Sequence, residues 1–200
     1  MPTTPPIPTK DRIRQAAVRL FAERGIDAVS QRDIAAGAGV QVSTLYAHWT
    51  GGRDQLIADL FVSGYADYAR HLADAAAPHA AFAPALDAMV RAICRLHAED
   101  EAMFAFLLLS QHRGLDRVGG GEAGNPVDVL QRRVERAIAA REIPAADAAL
   151  VTAAIVGVLV QAATFRLYGR LTRDLPAMAD ELCLLCARTA GLPNPARTPR

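Results

Sequence analysis

Residues 30–56 read SQRDIAAGAGVQVSTLYAHWTGGRDQL, and the fold turns on this stretch. Ser30 offers a side-chain oxygen to the first turn of a helix, and Asp33 three residues on completes a capping box. Ile34, Ala35 and Ala38 then give that helix one narrow apolar side that lies close against a neighbour. Gly39 suits a tight turn that needs positive φ, with Val40 as a small apolar plug behind it. A second helix over about Val42 to Trp49 sets Leu45 and Trp49 four apart on its inner side. Helix, short glycine turn, helix is the layout of a helix-turn-helix, which sets the start of its second helix into the major groove of DNA.

Side-chain chemistry then nominates the readers. Gln41, Val42 and Ser43 at the start of the second helix reach base edges. Gln41 suits adenine, Val42 suits the thymine methyl, and Arg32 on the first helix suits guanine. Gln41 is a poorer helix cap than serine or threonine, so that helix start gives up some capping.

Upstream, Ile13, Ala17, Leu20 and Phe21 share one face of a helix expected over Lys10 to Arg24, capped by Thr9 and ended by Gly25. It braces the reading pair. Downstream, a long helix is expected over Asp54 to Ala76 through Leu56, Ile57, Leu60, Phe61, Tyr65 and Tyr68. Pro78 to Pro84 breaks the pattern. An apolar stripe follows at Leu86, Met89, Val90, Ile93 and Leu96, then a helix over Met103 to His112. Gly114 to Asn125 reads as a loop, with helices after it over Pro126 to Arg141, Pro144 to Tyr168 and Asp174 to Ala190.

From about Arg12 to Leu56 the chain resembles the DNA-binding domain of the TetR family of transcriptional regulators. The resemblance rests on Ala16-Ala17, Leu20-Phe21, Gly25, Asp33-Ile34-Ala35, Ala38-Gly39-Val40, Thr44-Leu45-Tyr46, His48-Trp49 and Leu56. It implies phosphate contacts from Thr44, Tyr46 and His48, which fix register without reading sequence. The family pattern runs phenylalanine, lysine three residues on, and leucine after six. Here Trp49 stands for the phenylalanine and Leu56 comes seven residues later. The lysine's phosphate contact therefore passes to Arg53 if the loop absorbs one extra residue. The resemblance also implies a four-helix dimer interface from residues 145–168 and 174–190 of each subunit.

Composition fits this picture. The 200 residues are rich in alanine and leucine, as an all-helical chain requires. Net charge is only +1, and residues 1–56 carry seven Lys and Arg against five Asp and Glu, a local net of +2. Nucleic-acid binding then depends on placement more than bulk attraction. Three cysteines and no secretory signal point to a reducing cytoplasm.

Several competing signals have plainer readings. Ala148 to Phe165 is apolar over eighteen residues, close to a membrane span. Thr152, Gln161 and Thr164 interrupt it, and a helix buried all round against its own bundle and a partner is favoured over a span. Cys183-Leu-Leu-Cys186 has the spacing of half a zinc or redox motif, but one pair on an apolar helix reads as interface packing. Gly119, Gly121 and Gly124 match G-x-G-x-x-G without the strand and helix the motif needs. His97, Asp100 and Glu101 could converge as metal ligands, but acids opening a helix are ordinary dipole partners. No nucleophile elbow, P-loop or HExxH occurs, which argues against an enzyme.

The expectation is an all-α protein of about nine helices. It has a disordered arm over 1–9, a three-helix helix-turn-helix DNA-binding domain over 10–53, a ligand-binding and dimerisation bundle over 54–191 opened by the connecting helix 54–76, and a disordered tail over 192–200. The expected function is a cytoplasmic, homodimeric, ligand-responsive regulator, a repressor on a palindromic double-stranded operator. No cofactor or metal is expected. An apolar small-molecule effector would sit among Phe61, Met89, Ile93, Phe104, Leu107 and His112. The rival reading is a helical small-molecule-binding protein or enzyme that retains a vestigial helix-turn-helix.

Overall fold

The computed structural model describes residues 7–114 and 124–193, the side chains of 111–114 excepted. Nine α-helices and one short 3-10 turn make up the regular structure among these residues, with no strand. Their contacts gather into two compact units. The first takes the described residues among 1–64 and 102–117, the second those among 65–101 and 118–200.

In the first unit, α1 (Thr9–Arg24) buries Ile13, Ala16, Ala17, Val18, Leu20 and Phe21. The expected cap differs: Thr9 lies inside the helix, Pro8 stands at the cap position, and no side chain caps it. A proline before the first turn forgoes an N–H that has no helical partner there, so little is lost. Gly25 ends α1 at φ 78° with its N–H on the Phe21 carbonyl at 3.0 Å. α2 (Gln31–Ala38) opens on the full Ser30–Asp33 capping box, and the Ser30 hydroxyl and N–H hold the Asp33 carboxyl below its usual range. Ile34, Ala35 and Ala38 are its buried side. The small residues let α2 close on α1, so that a methyl at Gly37 would already stand 3.4 Å from Leu20.

The corner works as the sequence requires. Gly39 is left-handed at φ 65°, ψ 41°, and the Val40 N–H reaches back to the Ala35 carbonyl at 3.0 Å. α3 (Val42–His48) follows, pinned by Leu45 and Trp49, both 0% exposed. α4 (Gly52–Ala76) begins two residues before expectation.

α6 (Glu101–Gly114) also belongs to the first unit from residue 102 onward. Phe106 stacks on Phe21 with ring centroids 5.7 Å apart. Gly64 allows the close approach of α4, because a Cβ there would lie 2.9 Å from Leu107.

The second unit is organised on α5 (Phe82–Glu99), which packs on α7 (Pro126–Ala139), α9 (Ala179–Thr189) and the 3-10 turn Leu175–Met178. Pro84 does not break α5; it sits in the first turn, where a missing N–H costs nothing. Two polar ties hold the link between α4 and α5. Arg133 donates to the carbonyls of Ala76 and His79 at 3.0 Å each, and Glu142 accepts the Phe82 N–H at 2.6 Å. Glu142 takes the first N–H of α5, a helix-start donor, while Arg133 adds to the Ala76 carbonyl, which also accepts the His79 N–H at 3.1 Å. Arg91 joins Asp87 on α5 to Asp180 on α9 at 2.8 and 2.7 Å.

α8 (Ala148–Leu167) is capped by Asp147 and is long and apolar enough to cross a membrane. Thr152, Ile155, Leu159 and Ala163 bury one side of it against its neighbours α7 and α9. The expectation of a helix buried all round is not met within the chain. Ala153, Ala154, Gly157 and Gln161 are exposed, and a methyl added at Gly157 would meet nothing within 4 Å. Leu184 and Leu185 on α9 are exposed too, at 38% and 48%.

The remaining signals resolve simply. Cys183 and Cys186 are buried within the chain itself, and burial pushes both thiols up to about 12. Among the described residues no group of three His, Cys, Asp or Glu could hold a metal. His97 is buried while Asp100 and Glu101 are exposed. Gly119 and Gly121 lie outside the described residues.

Candidate nucleic-acid interface

The reading helix is held from behind and open in front. Leu45 and Trp49 fill the inner side of α3 completely. The Trp49 indole N–H donates to the Asp59 carboxylate on α4 at 2.8 Å. A buried aromatic with its one polar atom satisfied fixes the rotation of α3 about its axis. The outer side carries Gln41, Ser43, Tyr46 and His48, all exposed, with Val42 and Thr44 half-buried at its edge.

Gln41 is the cap residue, extended at φ −76°, ψ 150°, and its side chain makes no capping bond. Its amide is thus not spent on the helix start, in keeping with its residue type. Arg32 is exposed in the first turn of α2. Arg32, Gln41, Ser43, Tyr46 and His48 are accordingly all surface groups of the same two-helix element, with polar ends that suit base edges and phosphates.

The loop between α3 and α4 turns on two glycines. Gly52 adopts φ 63° and donates its N–H to the Trp49 carbonyl at 2.8 Å. A Cβ on Gly52 would lie 2.5 Å from Gln31 Nε2 and 3.2 Å from the Tyr46 ring. The Gly51 N–H is taken by the Gln55 side chain at 2.9 Å. Arg53 lands inside this arrangement. Its guanidinium donates to the Ile26 carbonyl, approaches Asp54 at 3.5 Å and stands 6.0 Å from the Phe21 ring centre. The side chain is only 20% exposed.

Several residues of this region carry no signal in the sequence. Asp59 is set apart only by its bond to Trp49. Arg14 and Ser63, 49 positions apart, pair at 2.6 Å and tie α1 to α4. Lys10 stands over the Trp49 ring at 5.7 Å, within cation–π range. Each is a contact between different elements, beyond the reach of local periodicity.

The six effector candidates divide between the units. Phe61 and Leu107 are buried and Phe104 half-buried in the first; Met89 is buried and Ile93 half-buried in the second. The His112 side chain lies outside the described residues.

Residues 13–60 match the family described as bacterial regulatory proteins, tetR family. Among curated proteins no relative matches the chain by sequence. The fold is similar to several solved regulators. The fatty acid degradation regulator FadR from Bacillus halodurans superposes with TM-score 0.73 at 19% identity, over 92% of this chain and 100% of that one. A tetR-family regulatory protein from Rhodococcus RHA1 gives TM-score 0.73 at 20% identity, over 94% and 100%. The regulator FadR from Bacillus subtilis, solved in complex with stearoyl-CoA, gives 0.72 at 20% identity, over 89% and 98%. Residues 13–60 thus carry the helix-turn-helix of the tetR family, and the chain as a whole shares the all-helical fold of these solved regulators.

Proposed function

We propose that this regulator acts as a cytoplasmic homodimeric repressor, released from a palindromic operator by an apolar small molecule. The observation that carries the proposal is the contrast across α3. Leu45 and Trp49 lock one side of the helix at 0% exposure. Gln41 and Ser43 stand exposed at the end that enters a groove. Arg32, Gln41, Val42 and Ser43 read bases; Thr44, Tyr46 and His48 hold phosphates.

A dimer is supported by the open stripe on α8. Ala153, Ala154 and Gly157 are small, apolar and exposed, and Leu184 and Leu185 of the neighbouring α9 are exposed as well. Small residues at spacing four let two helices approach closely, and an isologous pairing of such a stripe closes a two-fold dimer. That explains α8's composition without a membrane. Two-fold symmetry then sets operator half-sites about one helical turn or a multiple apart.

The effector belongs to the C-terminal helices, with Met89 and Ile93 on α5 as contact candidates. The Bacillus subtilis neighbour holds stearoyl-CoA, so long-chain acyl thioesters are the first class to try. Binding biases the dimer toward a form in which α4 carries the two reading heads out of groove spacing. The shift can be no larger than the effector's difference in affinity for the two forms.

The experiment is selection of bound duplexes from a random pool, followed by release from the winner with acyl-CoAs of graded chain length. A palindromic winner released by long chains and not by free CoA supports the proposal. Failure to enrich any duplex at low salt overturns it.

A further inference from the structure

A helix that enters the major groove needs cations on the flanking phosphates, and two cations of the first unit, Arg53 and Lys10, stand in opposite circumstances. Arg53 is spent. Its guanidinium holds the Ile26 carbonyl, covers the Phe21 ring and keeps only a fifth of its side chain exposed. To reach a phosphate it would have to abandon that carbonyl and uncover the ring.

Lys10 is in the other condition. It lies in the first turn of α1 and is exposed. Its ammonium stands 5.7 Å from the Trp49 ring centre. That ring is itself fixed, being 0% exposed and bonded to Asp59 at 2.8 Å. Trp49 directly follows His48, the exposed last residue of α3, and the two rings are 5.8 Å apart. The ring therefore holds a positive charge at the end of the reading helix. A π face attracts an ammonium but takes none of its directed N–H bonds, so the three donors of a lysine still suit phosphate oxygens.

Resting on the DNA-binding proposal, we infer that Lys10, not Arg53, is the cation that grips the backbone phosphate flanking α3. Arg53 instead straps the start of α4 to the link between α1 and α2. Trp49 thus serves twice, as the anchor of α3 on its inner side and as the rest for Lys10.

The test is the salt dependence of binding to a duplex selected by the wild-type protein, compared with a scrambled duplex. Removing one phosphate contact flattens the plot of log affinity against log salt by about 0.9. Lys10→Met keeps the aliphatic stem and removes the charge. It is expected to flatten the slope by about that amount per subunit, to weaken both duplexes equally, and to be rescued by Lys10→Arg. Arg53→Met is expected to lower Tm and leave the slope alone. A Lys10→Met protein with the full wild-type slope overturns the inference, whether or not its Tm falls. So does an Arg53→Met protein whose slope flattens while that of Lys10→Met does not. A wild type that binds no duplex would instead defeat the DNA-binding proposal itself, and this inference with it.

Discussion

Gly52 turns the loop between α3 and α4, and its replacement by alanine separates two costs. The first is conformational: at φ 63° an L side chain is strained by about 1–2 kcal/mol. The second is steric: the new methyl would stand 2.5 Å from Gln31 Nε2 and 3.2 Å from the Tyr46 ring. Gln31 can swing aside, at a cost of about 0.5–1.5 kcal/mol for an imperfect rotamer. Together these give about 2–3 kcal/mol, or a fall in Tm of roughly 5–10 °C for a chain of this size. Gly39→Ala supplies the control, because φ there is 65° but a methyl would meet nothing within 4 Å. It should cost only the conformational part. Denaturant unfolding of Gly39→Ala, Gly52→Ala and Gln31→Ala/Gly52→Ala measures all three. The double variant, referred to Gln31→Ala, should fall back toward the Gly39→Ala value. Equal costs for the two single glycine variants, or no relief from Gln31→Ala, would refute the packing described for this loop.

Three further outcomes are expected. Asp59→Ala should cost about 1–2 kcal/mol by leaving the Trp49 indole N–H without its acceptor, and close to nothing in a Trp49→Phe background, as read by a double-mutant cycle. His97 is held below its ordinary value of 6.5 by burial, with Glu101 and Asp174 opposing and Arg166 reinforcing. A lowered histidine contributes stability that is present above 6.5 and lost as pH falls below it. Tm should therefore drop between pH 7 and 5, and drop less in His97→Gln. Ala154→Glu on the open stripe of α8 should weaken the dimer tenfold or more in sedimentation without lowering helicity; an unchanged dimer would move the interface elsewhere.

Local chemistry makes the reading pair legible. The capping box, the left-handed Gly39 and the inward Leu45 and Trp49 are all set by neighbours within four residues, the range over which sequence pattern carries geometry. Helix existence is equally plain, whereas ends shift: α4 starts at Gly52 and α5 takes in Pro84. What sequence does not show is where long side chains go. Arg53 reaches Ile26, 27 positions away, because folding brings a bare carbonyl and an aromatic face beside it. Lys10 finds Trp49 for the same reason. The composition of α8 is apolar all round, yet composition does not say which side meets the chain itself. The packing of residues 102 onward with the helix-turn-helix depends on Phe21 meeting Phe106, again a tertiary event.

On the proposed function, the start of α3 reads sequence. Its most direct test is the base-preference profile of Gln41→Ala beside the wild type, taken across every single substitution of the selected duplex at fixed salt. Discrimination is expected to collapse by about 1–3 kcal/mol at one base pair in each half-site and to be unchanged elsewhere. A profile superimposable on the wild type's, or one weakened uniformly at every position, would contradict it.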